Sequence, residues 1–349
     1  MIISRTPYRI SFFGGGTDYP QWYNQYGGQV ISTTIDKYIY INCRYLPPFF
    51  EHRLRIVYSK EEVGNNVDEI KHPSARETLK YMNIENGLEI HYDGDLPGRS
   101  GLGSSSSFTV GLLNAISTFQ GKRFTKDELA VKSIHIEQNL IKEVVGSQDQ
   151  INAAYGGFNH INFYSNKKFK VDKINISKER QNSFEDKLML FHTGYSRLAE
   201  DVAKSVVENI EINKIQLMKI NSIVDSAIKI IKNGNMDDIG YLLDETWEQK
   251  KQLSKKVSNS FIQECYDAAK QAGALGGKIT GAGGGGFLLL YAPIEKQKEI
   301  KKTLSKLLHV PFKFENNGSS IIFESETQKY IEEEKERNNS NNVFKLKYN

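Results

Sequence analysis

Apolar and polar positions divide the chain into strands, helices and glycine turns. Residues 2–13 read as a strand that stops at Gly14-Gly15-Gly16. Residues 30–45, rich in Ile, Thr and Tyr, predict one long strand. Leu54, Ile56 and Tyr58 alternate with polar residues, as do Leu88, Ile90 and Tyr92, which predicts two more strands. Residues 67–82 between them read as helical, and residues 104–120 as an apolar helix behind a Gly/Ser turn. Thr125-Lys126-Asp127-Glu128 is a capping box, opening a helix toward Val145. A Gly156-Gly157 turn precedes a strand at 158–163. The second half begins with a strand at 187–192, and helices dominate 196–272. Strands follow around 277–280 and 287–291 with a glycine turn between them. Pro293 starts a helix, and short strands close the pattern at 312–315 and 320–323.

Strands and helices do not alternate strictly, so the fold class is mixed α+β in two lobes rather than a doubly wound sheet. The polar, lysine-rich stretch 165–185 marks the boundary. The predicted units are residues 1–180, residues 181–325 and a charged, Asn-rich tail, 326–349. A chain of 349 residues suits two domains.

Composition removes several function classes. Lys and Arg (46) nearly balance Asp and Glu (42), so no nucleic-acid surface is implied. Lys296, Lys298, Lys301, Lys302 and Lys306 read as a solvated helix face. Cys43 and Cys265 lack metal-ligand spacing and fit two free thiols in a reducing cytoplasm. No leader pattern and no run of eighteen apolar residues occurs, so the expected location is cytoplasmic, with no membrane partner.

Three glycine clusters carry the chemistry. The first, Pro97-Gly98-Arg99-Ser100-Gly101-Leu102-Gly103-Ser104-Ser105-Ser106-Ser107, feeds a helix N-terminus. Such a turn gathers N–H groups and the positive end of the helix dipole, which suits phosphate. It is not the Walker pattern. The apolar residues Leu102, Phe108, Val110, Leu112 and Leu113 argue against a flexible linker. The second cluster, Lys278-Ile279-Thr280-Gly281-Ala282-Gly283-Gly284-Gly285-Gly286, is a hairpin turn or a close approach of backbones. The third, Thr6 to Asp18, places Arg9 in an apolar strand, where it must meet an anion or a carboxylate. There Thr17-Asp18 could bind a polyol or form an Asx turn.

In order and spacing these clusters resemble the three signature motifs of the GHMP small-molecule kinases. The resemblance covers nearly all of residues 1–325. It implies an N-terminal lobe like a domain of ribosomal protein S5 and a ferredoxin-like C-terminal lobe. It implies that residues 97–106 hold the phosphates of ATP and that Thr280, Gly281, Gly283 and Gly284 support that loop. Gly146-Ser147-Gln148-Asp149-Gln150 resembles the segment carrying the family's catalytic aspartate. Asp149 would then accept the proton of the attacking hydroxyl; read from the residues alone it is more readily a helix cap. Arg9 matches a family cation near the transferred phosphate. Ser104 and Glu137 match magnesium ligands, although Glu137 precedes Asp149 by 12 residues, against eleven in mevalonate kinase.

Galactokinases carry Glu-His-Thr-Asp where this chain has Gly15-Gly16-Thr17-Asp18. With Gly146–Gln150 and His192–Arg197, this resembles the heptose 7-phosphate kinase branch, with fucokinases close by. The implied reaction is ATP- and Mg2+-dependent phosphorylation of the anomeric hydroxyl, serving surface polysaccharide synthesis. Gly15, Gly16, Thr17, Asp18 and Arg197 are the expected substrate residues, Arg197 for the sugar's own phosphate, with Arg99 and Arg76 behind it. The implied partners are ATP and a small sugar phosphate, with a homodimer left open. A kinase of an unphosphorylated sugar and a catalytically silent sensor are the alternatives.

Overall fold

The computed structural model describes residues 1–84, 87–194, 199–326, 330 and 332–333. In chain order the first half supplies β1 (Ile2–Phe13), α1 (Pro20–Tyr26), β2 (Gly28–Tyr45), β3 (Leu54–Val57), β4 (Glu61–Gly64), α2 (Pro73–Tyr81), β5 (Leu88–Gly94), α3 (Ser104–Phe119), α4 (Lys126–His135), α5 (Gln148–Tyr155), β6 (Phe158–Phe163) and β7 (Phe169–Lys173). The second half supplies α6 (Lys178–Glu185), β8 (Leu188–His192), α7 (Ala199–Glu208), α8 (Lys214–Asn233), α9 (Asp238–Leu253), α10 (Ser260–Gln271), β9 (Gly276–Ile279), β10 (Phe287–Tyr291), α11 (Gln297–Thr303), β11 (Leu308–His309), β12 (Phe314–Glu315) and β13 (Ser320–Glu324).

Among the described residues, the 18-residue β2 is the spine of a nine-stranded sheet. β1 runs along one of its sides. Its other side pairs in turn with β6, β12 and β5, all antiparallel. The path continues from β5 to β3 and β4, while β13 covers β1 at the other end. α3 is buried from Ser106 to Thr118, and it packs on β1, β2, α2, α4 and α5. A helix that is apolar on every side belongs at such a centre, and its N-terminus is thereby fixed against the sheet.

The second sheet is antiparallel in the order β11-β8-β10-β9. With helices after its first and third strands, it has the ferredoxin-like arrangement.

Four local expectations change. Residues 67–82 break at Pro73, which starts α2 where its missing N–H costs nothing; a short 3-10 turn, Val67–Glu69, precedes it. The capping box of Thr125 and Glu128 is formed, but α4 stops at His135 and continues only as a π-turn, Ile136–Leu140. The stretch 165–185 holds β7, paired with β6, and α6. Finally, the expected second unit, 181–325, is not contiguous in space. β12 and β13 return to the first sheet, on β2 and β1.

Candidate active site

The first glycine cluster is tied to β1 by the Arg9 N–H, which donates to Leu102 O at 3.0 Å. Gly103 is the N-cap of α3, with φ +78°, and no side chain caps the helix. A side chain in that left-handed conformation costs about 1–2 kcal/mol, which favours glycine here. The open first turn meets a cleft lined by Arg99, Gly101, Gly103, Ser104, Ser105 and Ser106. Pro97, Gly98, Ser100 and Leu102 stand outside that lining and shape the turn. Ser100 donates its hydroxyl to Pro97 O, Ser104 Oγ accepts the Arg99 N–H, and Leu102 is fully buried.

The second cluster does both things its sequence allowed. It is a hairpin turn between β9 and β10, and it presses on the first glycine loop. A Cβ on Gly101 would lie 2.7 Å from Thr280 O, and one on Gly281 would lie 2.6 Å from Gly101 Cα. Gly281 and Ala282 line the cleft. Gly283 and Gly284 pack instead on Val257, the Gly284 N–H donating to its carbonyl. Thr280 is buried and donates its N–H to Phe287 O.

Arg9 meets a carboxylate. Its Nε and Nη2 donate to Asp149 Oδ1 and Oδ2 at 2.7 and 2.8 Å, and Nη1 donates to Gly101 O at 2.7 Å. One guanidinium thus fixes Asp149 and the first glycine loop together. Asp149 stands in the first turn of α5, its side chain a quarter exposed and lining the cleft.

Asp18 is brought beside it although 131 residues separate them in the sequence. The Ser147 N–H donates to Asp18 O at 2.9 Å, and a Cβ on Gly146 would lie 1.8 Å from Asp18 Oδ2. Burial pushes the Asp18 carboxyl up, and the Asp149 charge adds to this. Gly15, Gly16 and Asp18 line the cleft. Thr17 does not: its hydroxyl is fully buried, donating toward Gly14 O and Gln29 O and accepting the Gln29 N–H. It holds the turn rather than facing a ligand. Arg197 lies outside the described residues.

Glu137 also departs from expectation. It is fully buried behind α3 and does not line the cleft. Its Oε2 accepts from Ser106 Oγ and Gln150 Nε2, while among the described residues no group lies within hydrogen-bond geometry of Oε1. Burial pushes its pKa up to about 7.

The chain matches the families described as the GHMP kinases N terminal domain, over residues 70–157, and GHMP kinases C terminal, over 227–309. It is 30% identical over 319 residues to the D-glycero-alpha-D-manno-heptose 7-phosphate kinase of Campylobacter jejuni, covering 87% of this chain and 93% of that one. The mevalonate kinase of Methanocaldococcus jannaschii is 28% identical, with coverage of 87% and 96%. A solved structure described as a D-glycero-D-manno-heptose 1-phosphate kinase from Bacteroides thetaiotaomicron superposes with a TM-score of 0.69. It is 23% identical and covers 93% of this chain and 100% of that one. The chain belongs to the GHMP kinases.

The molecule is therefore an ATP-dependent sugar kinase. The cleft also holds residues that the glycine motifs did not announce. Glu143 and Glu200 stand at its rim with Arg99; burial pushes Glu143 up, Glu200 adds to this, and Arg99 opposes it. Lys250 on α9 and Lys278 on β9 are almost wholly buried in its wall. Burial pushes Lys250 down to about 7, with Arg9 adding to the effect. Lys278 is pushed well down by burial and by the Lys250 charge. A signal for both was present. Lys250 shares a helical stripe with Leu243, Trp247 and Leu253, and Lys278 interrupts a buried strand as Arg9 does.

Among the described residues, no helix is long and apolar enough to cross a membrane. Cys43 and Cys265 are free.

Proposed function

We propose that this chain is a sugar kinase that transfers the γ-phosphoryl group of ATP to the anomeric hydroxyl of D-glycero-D-manno-heptose 7-phosphate, giving the 1,7-bisphosphate. The observation that carries the kinase mechanism is the Arg9 fork on Asp149 at the mouth of the phosphate loop. The substrate reading rests on the Campylobacter relative and on a Gly15-Gly16 pair that leaves room for a large acceptor.

In this reading the triphosphate lies on the first turn of α3, against Gly101, Gly103 and Ser104. The acceptor lies beside Gly16, Asp18 and Asp149. The sugar oxygen bonds to the γ-phosphorus as the bond to ADP breaks, and Asp149 takes the hydroxyl proton. Arg9 holds both carboxylate oxygens, so the base is aimed before the acceptor arrives. Phosphoryl transfer depends mainly on such positioning. The buried Asp18 accepts the Gly16 N–H and is placed to bond a second sugar hydroxyl.

Magnesium belongs to the same proposal. Ser104 lines the cleft at the first turn of α3 and would hold a divalent cation on the nucleotide phosphates, where it would neutralise charge on the transferred group. Glu137 lies behind that turn and would reach such a cation only if Ser106 and Gln150 released it.

The test is ADP release with ATP and heptose 7-phosphate, unphosphorylated heptose, fucose, mannose, galactose or mevalonate. Heptose 7-phosphate should give the highest kcat/KM. Equal use of the unphosphorylated heptose would make the bare-sugar reading the better one.

A further inference from the structure

A kinase whose acceptor already carries a phosphate needs a second cationic place besides the one that holds ATP. Arg9 is a poor candidate, because its charge is paired with Asp149 and three of its five N–H groups go to Asp149 and Gly101 O. Two other cations line the cleft from the second lobe. Lys250 projects from α9 and Lys278 from β9, and they are 6% and 2% exposed.

What surrounds these two ammonium groups is unusual. Lys278 Nζ donates to Phe12 O at 2.8 Å. Lys250 Nζ donates to Ile279 O at 3.1 Å and to Gly281 O. Among the described residues these are neutral backbone partners only, and neither lysine forms an ion pair. Fully buried lysines are rare unless paired, and an uncompensated buried charge is costly. Each ammonium has three donors. The bonds just given leave two on Lys278 and one on Lys250, on side chains that line the cleft. Asp18 is the nearby carboxylate, and its charge is suppressed by burial and by Asp149. The Lys250 charge also disfavours that of Lys278, an effect that a dianion bound beside them would reverse.

We propose that Lys250 and Lys278 form a phosphate subsite that receives the phosphate group already carried by the acceptor. This rests on the sugar-phosphate reading above. The ligand is a phosphate monoester dianion, held by charge-assisted bonds from two amino groups of the second lobe. The nucleotide phosphates meanwhile occupy the helix N-terminus of the first lobe. The two sites draw on different lobes, so a phosphorylated acceptor would bridge them.

The experiment compares wild type with Lys250→Met, Lys278→Met and Lys250→Arg. Steady-state kinetics are measured with heptose 7-phosphate and with unphosphorylated heptose, and ATP binding is measured by thermal shift. Each Met variant should raise KM for the phosphorylated acceptor tenfold or more and collapse its kcat/KM advantage over the bare sugar. Lys250→Arg should recover part of that advantage, and the ATP-induced shift should persist. Unchanged preference for the phosphorylated acceptor in both Met variants would overturn the subsite and leave the kinase reading standing. So would a loss of ATP binding that parallels the loss of acceptor binding, because the lysines would then only brace the glycine turn.

A titration of inorganic phosphate, followed by thermal shift on wild type and the Lys250→Arg and Lys278→Met variants, needs no turnover. If wild type turns over no phosphorylated sugar, yet phosphate stabilises it through these lysines, the subsite stands and the substrate assignment falls. If phosphate stabilises wild type and Lys278→Met equally, the subsite is refuted whatever the substrate.

Discussion

Replacing Arg9 by lysine tests the geometry most finely, because it keeps the charge and removes the fork. Arginine spans both oxygens of Asp149 at 2.7 and 2.8 Å and reaches Gly101 O at 2.7 Å. A lysine ammonium on a flexible stem cannot reproduce a bidentate clamp. At least one charge-assisted bond to the base is lost, at about 1.5–3 kcal/mol. If that energy serves to orient Asp149 in the transition state, kcat should fall roughly ten- to 150-fold, at about 1.4 kcal/mol per decade. The assay is coupled ADP release at saturating ATP and acceptor. Thermal unfolding run beside it confirms that the variant is folded. A folded Arg9→Lys enzyme with kcat within about twofold of wild type would show that the base needs no clamp, and the positioning argument would fail.

Asp149→Asn should lower kcat by about 10²–10⁴ while an ATP-induced thermal shift survives, and a variant keeping more than half of wild-type kcat would exclude Asp149 as the base. Gly146→Ala places a Cβ 1.8 Å from Asp18 Oδ2. At about 1–3 kcal/mol for such overpacking, acceptor KM should rise roughly five- to 150-fold while ATP binding holds, and an unaltered acceptor KM would remove Asp18 from the acceptor site. Glu137 titrates near 7 in the fold against 4.5 for a free glutamate. With a raised acid, the folded chain keeps a proton that the unfolded chain releases. Its stability is therefore fully present below pH 4.5 and is lost as pH rises toward about 7, by on the order of 3 kcal/mol. Without divalent cations, wild-type unfolding temperature should fall across that window more steeply than that of Glu137→Gln; parallel profiles would contradict the assignment.

Much of the framework was legible in the sequence because long apolar runs and glycine clusters speak locally. The strand at 2–13, the spine read at 30–45 and the buried helix after Gly103 follow from residue type and period alone. Arg9 in an apolar strand demanded an anionic partner, and Asp149 is that partner. Other features depend on what the chain folds against. β12 and β13 are short and half-exposed, and nothing in residues 312–325 says that they pair with β2 and β1 across nearly the whole chain. Thr17 and Asp18 are adjacent, yet one turns into the fold and the other lines the cleft; the local sequence allowed either. Glu137 showed its type but not that Ser106 and Gln150 would reach it first. Lys250 stands on the helical stripe of Leu243, Trp247 and Leu253, which signals burial but not that its ammonium reaches Ile279 O and Gly281 O.

The most direct measurement of the central claim is phosphorus NMR of the product formed from ATP and heptose 7-phosphate. Transfer directed by Asp149 to the anomeric oxygen predicts one new sugar phosphate resonance, coupled to the anomeric proton, appearing in step with ADP beside the retained 7-phosphate signal. ADP formed without that resonance, or a new phosphate coupled to any other sugar proton, would contradict the account.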